Sequence, residues 1–147
     1  MEINRDLIFL IIMIAMASFA YTEAVLEGDE GWAKDKKVWR FKIGWGYDYT
    51  SYHIVAYYVL FPILIIVLPL AIAGFSWSFF WFLLSSYLLG TIIEDFLWFV
   101  FNPKRPLRMW NPKETKWYPW VKYGKVALPV SYVVKFILAI IILVYLS

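Results

Sequence analysis

Long apolar runs alternate along the chain with short charged, tryptophan-rich segments. The runs occupy residues 7–25, 53–73, 77–101 and 126–146, and each is close to the roughly 20 residues a helix needs to cross a bilayer. The predicted fold class is an all-α membrane protein, a single polytopic domain over residues 1–147. Its four transmembrane helices are joined so that loops 26–52 and 102–125 form a small aromatic-rich β cap. In the second run Pro62 and Pro69 are expected to kink the helix, because each lacks an amide donor and crowds the preceding turn. In the first, Ser18-Phe19-Ala20 resembles a leader-cleavage site. Glu2 and Asp6 accompany Arg5 ahead of the run, however, so the usual positive leader is missing and a retained helix is expected.

The loops carry patterns of their own. In VWRFKIGW, Trp39, Phe41, Ile43 and Trp45 alternate with Val38, Arg40, Lys42 and Gly44, a period of two that suits a strand with one apolar face. In MWNPKETKWY, Asn111-Pro112 opens a turn between Trp110 and Trp117, which reads as a hairpin. The same tryptophans equally suit an interfacial belt, where amphipathic rings are favoured.

Composition narrows the class. With 63% hydrophobic residues, 22% aromatic and a mean hydropathy of +0.65, the chain has too much apolar surface for an ordinary soluble domain. The absence of cysteine excludes disulfides, thiolate catalysis and cysteine-ligated metal. The net charge is only +3 and the basic residues are interleaved with tryptophans, so no nucleic-acid partner is expected and membrane lipids are. One loop holds Lys34, Lys36, Lys37, Arg40 and Lys42. The other holds Lys104, Arg105, Arg108, Lys113, Lys116, Lys122 and Lys125, against Arg5 on the opposite side. The positive-inside rule then gives a multi-pass cell-membrane protein with cytoplasmic loops and external termini.

Candidate chemistry sits in residues 90–103, GTIIEDFLWFVFNP, where Glu94 and Asp95 interrupt an apolar run. Glu94 precedes Phe101 by seven residues, placing it roughly 10 Å inside the helix end. Lys135 lies at a similar depth, nine residues or roughly 13 Å into the fourth run. His53 opens the second run and Glu23 closes the first on the same side. Tyr87, Thr91, Glu94 or Asp95, Trp98 and Asn102 share one helical face, as do Ser131, Tyr132 and Lys135, and His53 precedes Tyr57 by one turn. A charged side chain facing lipid costs at least ~2.5 kcal/mol at the bilayer centre, so these faces are expected to turn inward around a polar pocket on the cytoplasmic side.

The candidate catalytic residues are Glu94 and Asp95, and the candidate substrate-binding residues are His53, Tyr57, Tyr87, Trp98, Asn102 and Lys135. Asp95 is expected to be the more sensitive acid if Thr91, four residues earlier, orients it by a hydrogen bond, and Glu94 if Lys135 is its partner. Glu94 and Asp95 point about 100° apart on a helix, so a single partner cannot serve both. A metal site joining His53 with Glu94, Asp95 or Glu23 is chemically open but not expected, and no cofactor is implied.

Two functions fit. One is a lipid- or isoprenoid-modifying enzyme using a membrane carboxylate as general acid or base. The other is a non-catalytic accessory or assembly subunit of a larger membrane complex, with Glu94 or Asp95 and Lys135 as a structural ion pair between helices three and four. Proton or ion translocation is a further role for such charges. No phosphate-binding glycine loop, nucleophile elbow or zinc-protease helix is present.

The string EDFLWFVFNP, followed by a basic tryptophan-rich loop and a proline-started last helix, resembles a group of small uncharacterised prokaryotic integral membrane proteins with an ED-xx-WF-xx-NP core. That likeness covers the C-terminal half and implies no activity. More weakly, the acids followed by aromatics resemble the membrane helix of heterodimeric carotenoid (lycopene) cyclase subunits. In that family a proline precedes the acid pair, whereas Thr91-Ile92-Ile93 stands there in this chain.

Overall fold

A computed structural model describes residues 4–28, 38–43 and 47–147. Its helices are α1 (Arg5–Glu27), α2 (Ser51–Ala73), α3 (Trp77–Phe101) and α4 (Val130–Tyr145). The first three are long and apolar enough to cross a membrane. The fourth is apolar but has 16 residues, about 24 Å at 1.5 Å per residue and so shorter than a hydrocarbon core of about 30 Å.

The starts of α1 and α3 have a readable cause. Asn4 accepts from Leu7 N at 2.9 Å and Ser76 from Phe79 N at 3.1 Å, two side-chain caps that satisfy amides left without a helical partner. The turn between α2 and α3 passes through Gly74 at φ +88°, a conformation that disfavours any side chain. α2 absorbs its prolines by widening. Phe61 N donates to Ala56 O and Leu68 N to Ile63 O, five residues back, so each proline is preceded by a π-helical stretch.

α3 is the central element, packed against α1 and α4. It runs parallel to α1: Arg5 Nη2 donates to Ser78 Oγ at 2.7 Å at one end, and Asn102 Nδ2 donates to Gly28 O at the other. Ile12 and Met16 of α1, Ile65 and Ile66 of α2 and Phe79, Phe82 and Leu83 of α3 form the core between these helices. Gly90 permits the close approach of α1, since a Cβ there would lie 2.9 Å from Met16 Cγ. The outer faces are apolar and exposed, as at Leu10, Ile14, Ile72, Ile137 and Val144, the reverse of a soluble helical bundle.

The β elements are two separate antiparallel hairpins rather than one cap sheet. β1 (Arg40–Ile43) pairs with β2 (Tyr47–Thr50) in the register Arg40 to Thr50. This bears out a strand in 38–45, although Trp39 and Phe41 are exposed. The predicted Trp45 end of that strand, and Lys34, Lys36 and Lys37, lie outside the described residues. β3 (Trp120–Tyr123) pairs with β4 (Val126–Pro129).

The second hairpin corrects two expectations. Residues 126–129 are strand, not the start of the last helix, and the expected hairpin at Asn111-Pro112 is a local turn. There Asn111 Oδ1 accepts from Lys113 N and Glu114 N at 2.9 and 3.2 Å, so the asparagine side chain satisfies the backbone without a strand partner. Trp110, Trp117, Tyr118 and Trp120 gather with Trp98 and Phe99, seating this loop on the end of α3.

Candidate functional site

Where α1, α2, α3 and α4 converge at their loop-side ends, they line a half-open cavity of about 350 Å³. His53, Tyr57, Tyr87, Glu94, Asp95, Trp98 and Lys135 all line it, so seven of the eight sequence candidates meet in one place. Asn102 does not. It is 1% exposed, donates to Gly28 O, and accepts from Lys104 N at 3.0 Å and Arg105 N at 3.1 Å. Those bonds make it a clasp between the ends of α1 and α3, not a substrate contact.

Adjacent acids on one helix diverge, and here they serve two neighbourhoods. Glu94, only 2% exposed, faces α1 and α2, where its carboxyl lies within hydrogen-bonding reach of Glu23 and Tyr57. Its Oε1 nevertheless has no donor among the described residues. Tyr57 OH donates to Glu23 Oε2 at 3.2 Å, its ring stacks on His53 at 5.9 Å, and its carbonyl accepts from Tyr87 OH. His53 Nδ1 lies 2.8 Å from Thr50 Oγ1, which fixes the imidazole at the start of α2.

Asp95 faces the loop and α4. Tyr118 OH donates to Asp95 Oδ1 at 2.6 Å. Burial, and then the negative charge of Asp95, push the Tyr118 phenol well above the ordinary tyrosine range, so it stays a protonated donor. Tyr132 OH is buried close to the same carboxyl without a well-aligned hydrogen bond. Thr91 does not meet the condition for orienting Asp95; its hydroxyl donates to Leu88 O at 2.9 Å, a helix-backbone bond open to any threonine. The expected Glu94–Lys135 ion pair is not made either. Among the described residues Lys135 acts on the acids through space, on Asp95 first and Glu94 second.

No family model, curated protein or solved structure matches this chain. The chemistry therefore rests on the cavity alone. Its residues offer a buried carboxyl with an unfilled acceptor, a second carboxyl held by a phenol, a lysine, an imidazole and several aromatic faces. Trp98 adds an indole N–H that is buried with no acceptor among the described residues.

Sequence reasoning missed Glu27 and Tyr118, which also line the cavity. Glu27 was legible: it stands one turn after Glu23, but the first run was ended at Val25, whereas α1 continues to Glu27. Tyr118 carried no signal, because it meets Asp95 across 23 residues of chain.

A double-mutant cycle separates the two acids. Lys135→Met is expected to destabilise the bundle by roughly 2–3 kcal/mol, the scale of two charges about 6–8 Å apart at an effective dielectric of about 20. Asp95→Asn in the same chain should recover more of that loss than Glu94→Gln does, as read by denaturant unfolding in detergent. Stronger coupling of Lys135 to Glu94 would contradict the assignment.

Proposed function

We propose that the protein is a multi-pass membrane enzyme that modifies a lipid or isoprenoid chain, with Glu94 as the group that donates or accepts a proton. In this reading all four helices span the bilayer, the two hairpin-bearing loops lie on the cytoplasmic face, and the termini are external. The observation that carries it is the unpaired Glu94 Oε1 at an aromatic-walled cavity between apolar helices. A buried carboxyl with an unfilled acceptor site is poised for a proton that a bound chain supplies or receives.

The neighbours divide the remaining work. Tyr57, Tyr87 and Trp98 present π faces that stabilise positive charge developing on an unsaturated chain. Asp95 is already engaged at Oδ1 by Tyr118 and feels the charge of Lys135, which suits it to fix the loop over the cavity rather than to react. The accessory-subunit reading relies on Glu94 or Asp95 pairing with Lys135; the Glu94 pair is not formed, and what is left to that reading is the attraction between Lys135 and Asp95 across space.

Native purification in mild detergent, followed by mass spectrometry of bound lipids and proteins, tests this reading. One class of lipid or isoprenoid is expected at about one molecule per chain, because a cavity in this volume range buries most of a small ligand. Recovery with a stoichiometric partner protein and no retained lipid would support the accessory role instead.

A further inference from the structure

One cluster in the cavity is not used by the proton chemistry. Glu23 and Glu27 stand one turn apart at the end of α1, and His53 opens α2 opposite them. One ligand atom from each, two carboxylate oxygens and an imidazole nitrogen, lies within 4.8 Å of the others. Glu23 is buried and the other two are partly exposed, so the group lies where ions reach it from the loop side.

We propose that Glu23, Glu27 and His53 bind a divalent first-row metal ion at the loop-side end of the cavity, with Glu94 next to its open coordination position. The donor set fits. Oxygen and imidazole ligands together suit Zn²⁺, Fe²⁺ or Mn²⁺, and three protein ligands with a vacant position are the pattern of reactive rather than structural sites. Ligands bound at about 2.1 Å stand roughly 3–4 Å apart, so a small side-chain closure completes the shell. Thr50 already holds His53 Nδ1, the outer contact that fixes a ligating imidazole and directs Nε2 to the metal.

The independent pointer is Glu94. Its buried Oε1 lacks a donor, and its carboxyl lies within hydrogen-bonding reach of Glu23. Two carboxylates this close and stripped of water need a shared proton or a cation between them. A cation at the Glu23 cluster neutralises the pair, and a water on that cation supplies the donor that Oε1 lacks.

The inference adds a metal to the proposed acid–base site but does not need that activity, because binding is read without turnover. The test is calorimetric titration of chelator-treated protein in detergent with zinc chloride and, separately, manganese chloride. One site per chain is expected. Glu27→Gln and His53→Gln should each weaken it by at least ~10-fold, by analogy with the loss seen on removing a supporting contact. Glu94→Gln should keep the site, since it removes a neighbour of the open position rather than a ligand. Glu27 is partly exposed at a helix end, so unchanged metal-free melting of Glu27→Gln serves as the folding control. Absence of a stoichiometric site in the wild type would overturn the proposal, and so would wild-type affinity in both ligand variants. Loss in Glu94→Gln as complete as in Glu27→Gln would overturn the three-ligand arrangement.

Discussion

On the proposed lipid-modifying activity, Glu94→Gln is expected to leave the protein folded in detergent and to cut turnover by about 10²–10⁴-fold, the usual contribution of a positioned acid or base. The amide keeps the shape of the carboxyl and part of its acceptor capacity, but it cannot carry the transferable proton. Stability should change little or rise, because the substitution removes a buried ionisable group that has an unfilled oxygen and another carboxyl beside it. Asp95→Asn is the informative contrast: its remaining oxygen can still accept from Tyr118, so the loop stays seated and the loss should be smaller. The measurement compares lipid extracts from cells lacking the protein, with each variant supplied in turn, against melting of the purified variants. Full restoration by Glu94→Gln would remove acid–base chemistry at this position.

Asn102→Ala should destabilise the fold by about 3 kcal/mol, a large fraction of the 5–15 kcal/mol typical of a whole domain. The side chain is buried and serves three backbone groups: Gly28 O, Lys104 N and Arg105 N. Each buried group left unpaired costs about 1–3 kcal/mol, reduced here because Lys104 is exposed and water can reach its amide. Asn102→Asp should also destabilise, since it keeps acceptors for the two amides but turns a carboxylate oxygen, which cannot donate, against Gly28 O. Denaturant unfolding of the three forms is expected to place both variants below the wild type. Wild-type stability of the alanine form would show that α1 and α3 are not clasped through this residue.

That clasp also shows where reading by periodicity stops. Asn102 continues the polar face of Tyr87, Thr91, Glu94 and Trp98, so spacing alone places it with the site. The helix ends at Phe101, however, and the residue capping it turns to the backbone of its neighbours. Thr91 fails for a related reason. A helical threonine has a carbonyl of its own preceding turn within reach, and Leu88 O outcompetes a side chain one turn further on.

The apolar runs by themselves determined the helices, their order and the side on which charge collects, because burying a helix in an apolar medium requires about 20 apolar residues and penalises each charge. They also determined that Glu94 and Asp95 cannot face the same way, since a helix turns 100° per residue. Which acid meets which partner was left to the tertiary structure. Matched depth suggested Glu94 with Lys135, but depth fixes position along an axis and not rotation about it. Packing α3 against α1 rotates Glu94 toward Glu23 and Tyr57, leaving Asp95 to Tyr118 and the lysine. The end of α1 was decided in the same way. Glu27 stays helical up to a glycine at φ +65°, which brings Glu23, Glu27 and His53 together from segments more than 20 residues apart. No local pattern encodes that meeting, because it depends on the angle at which two helices leave the core.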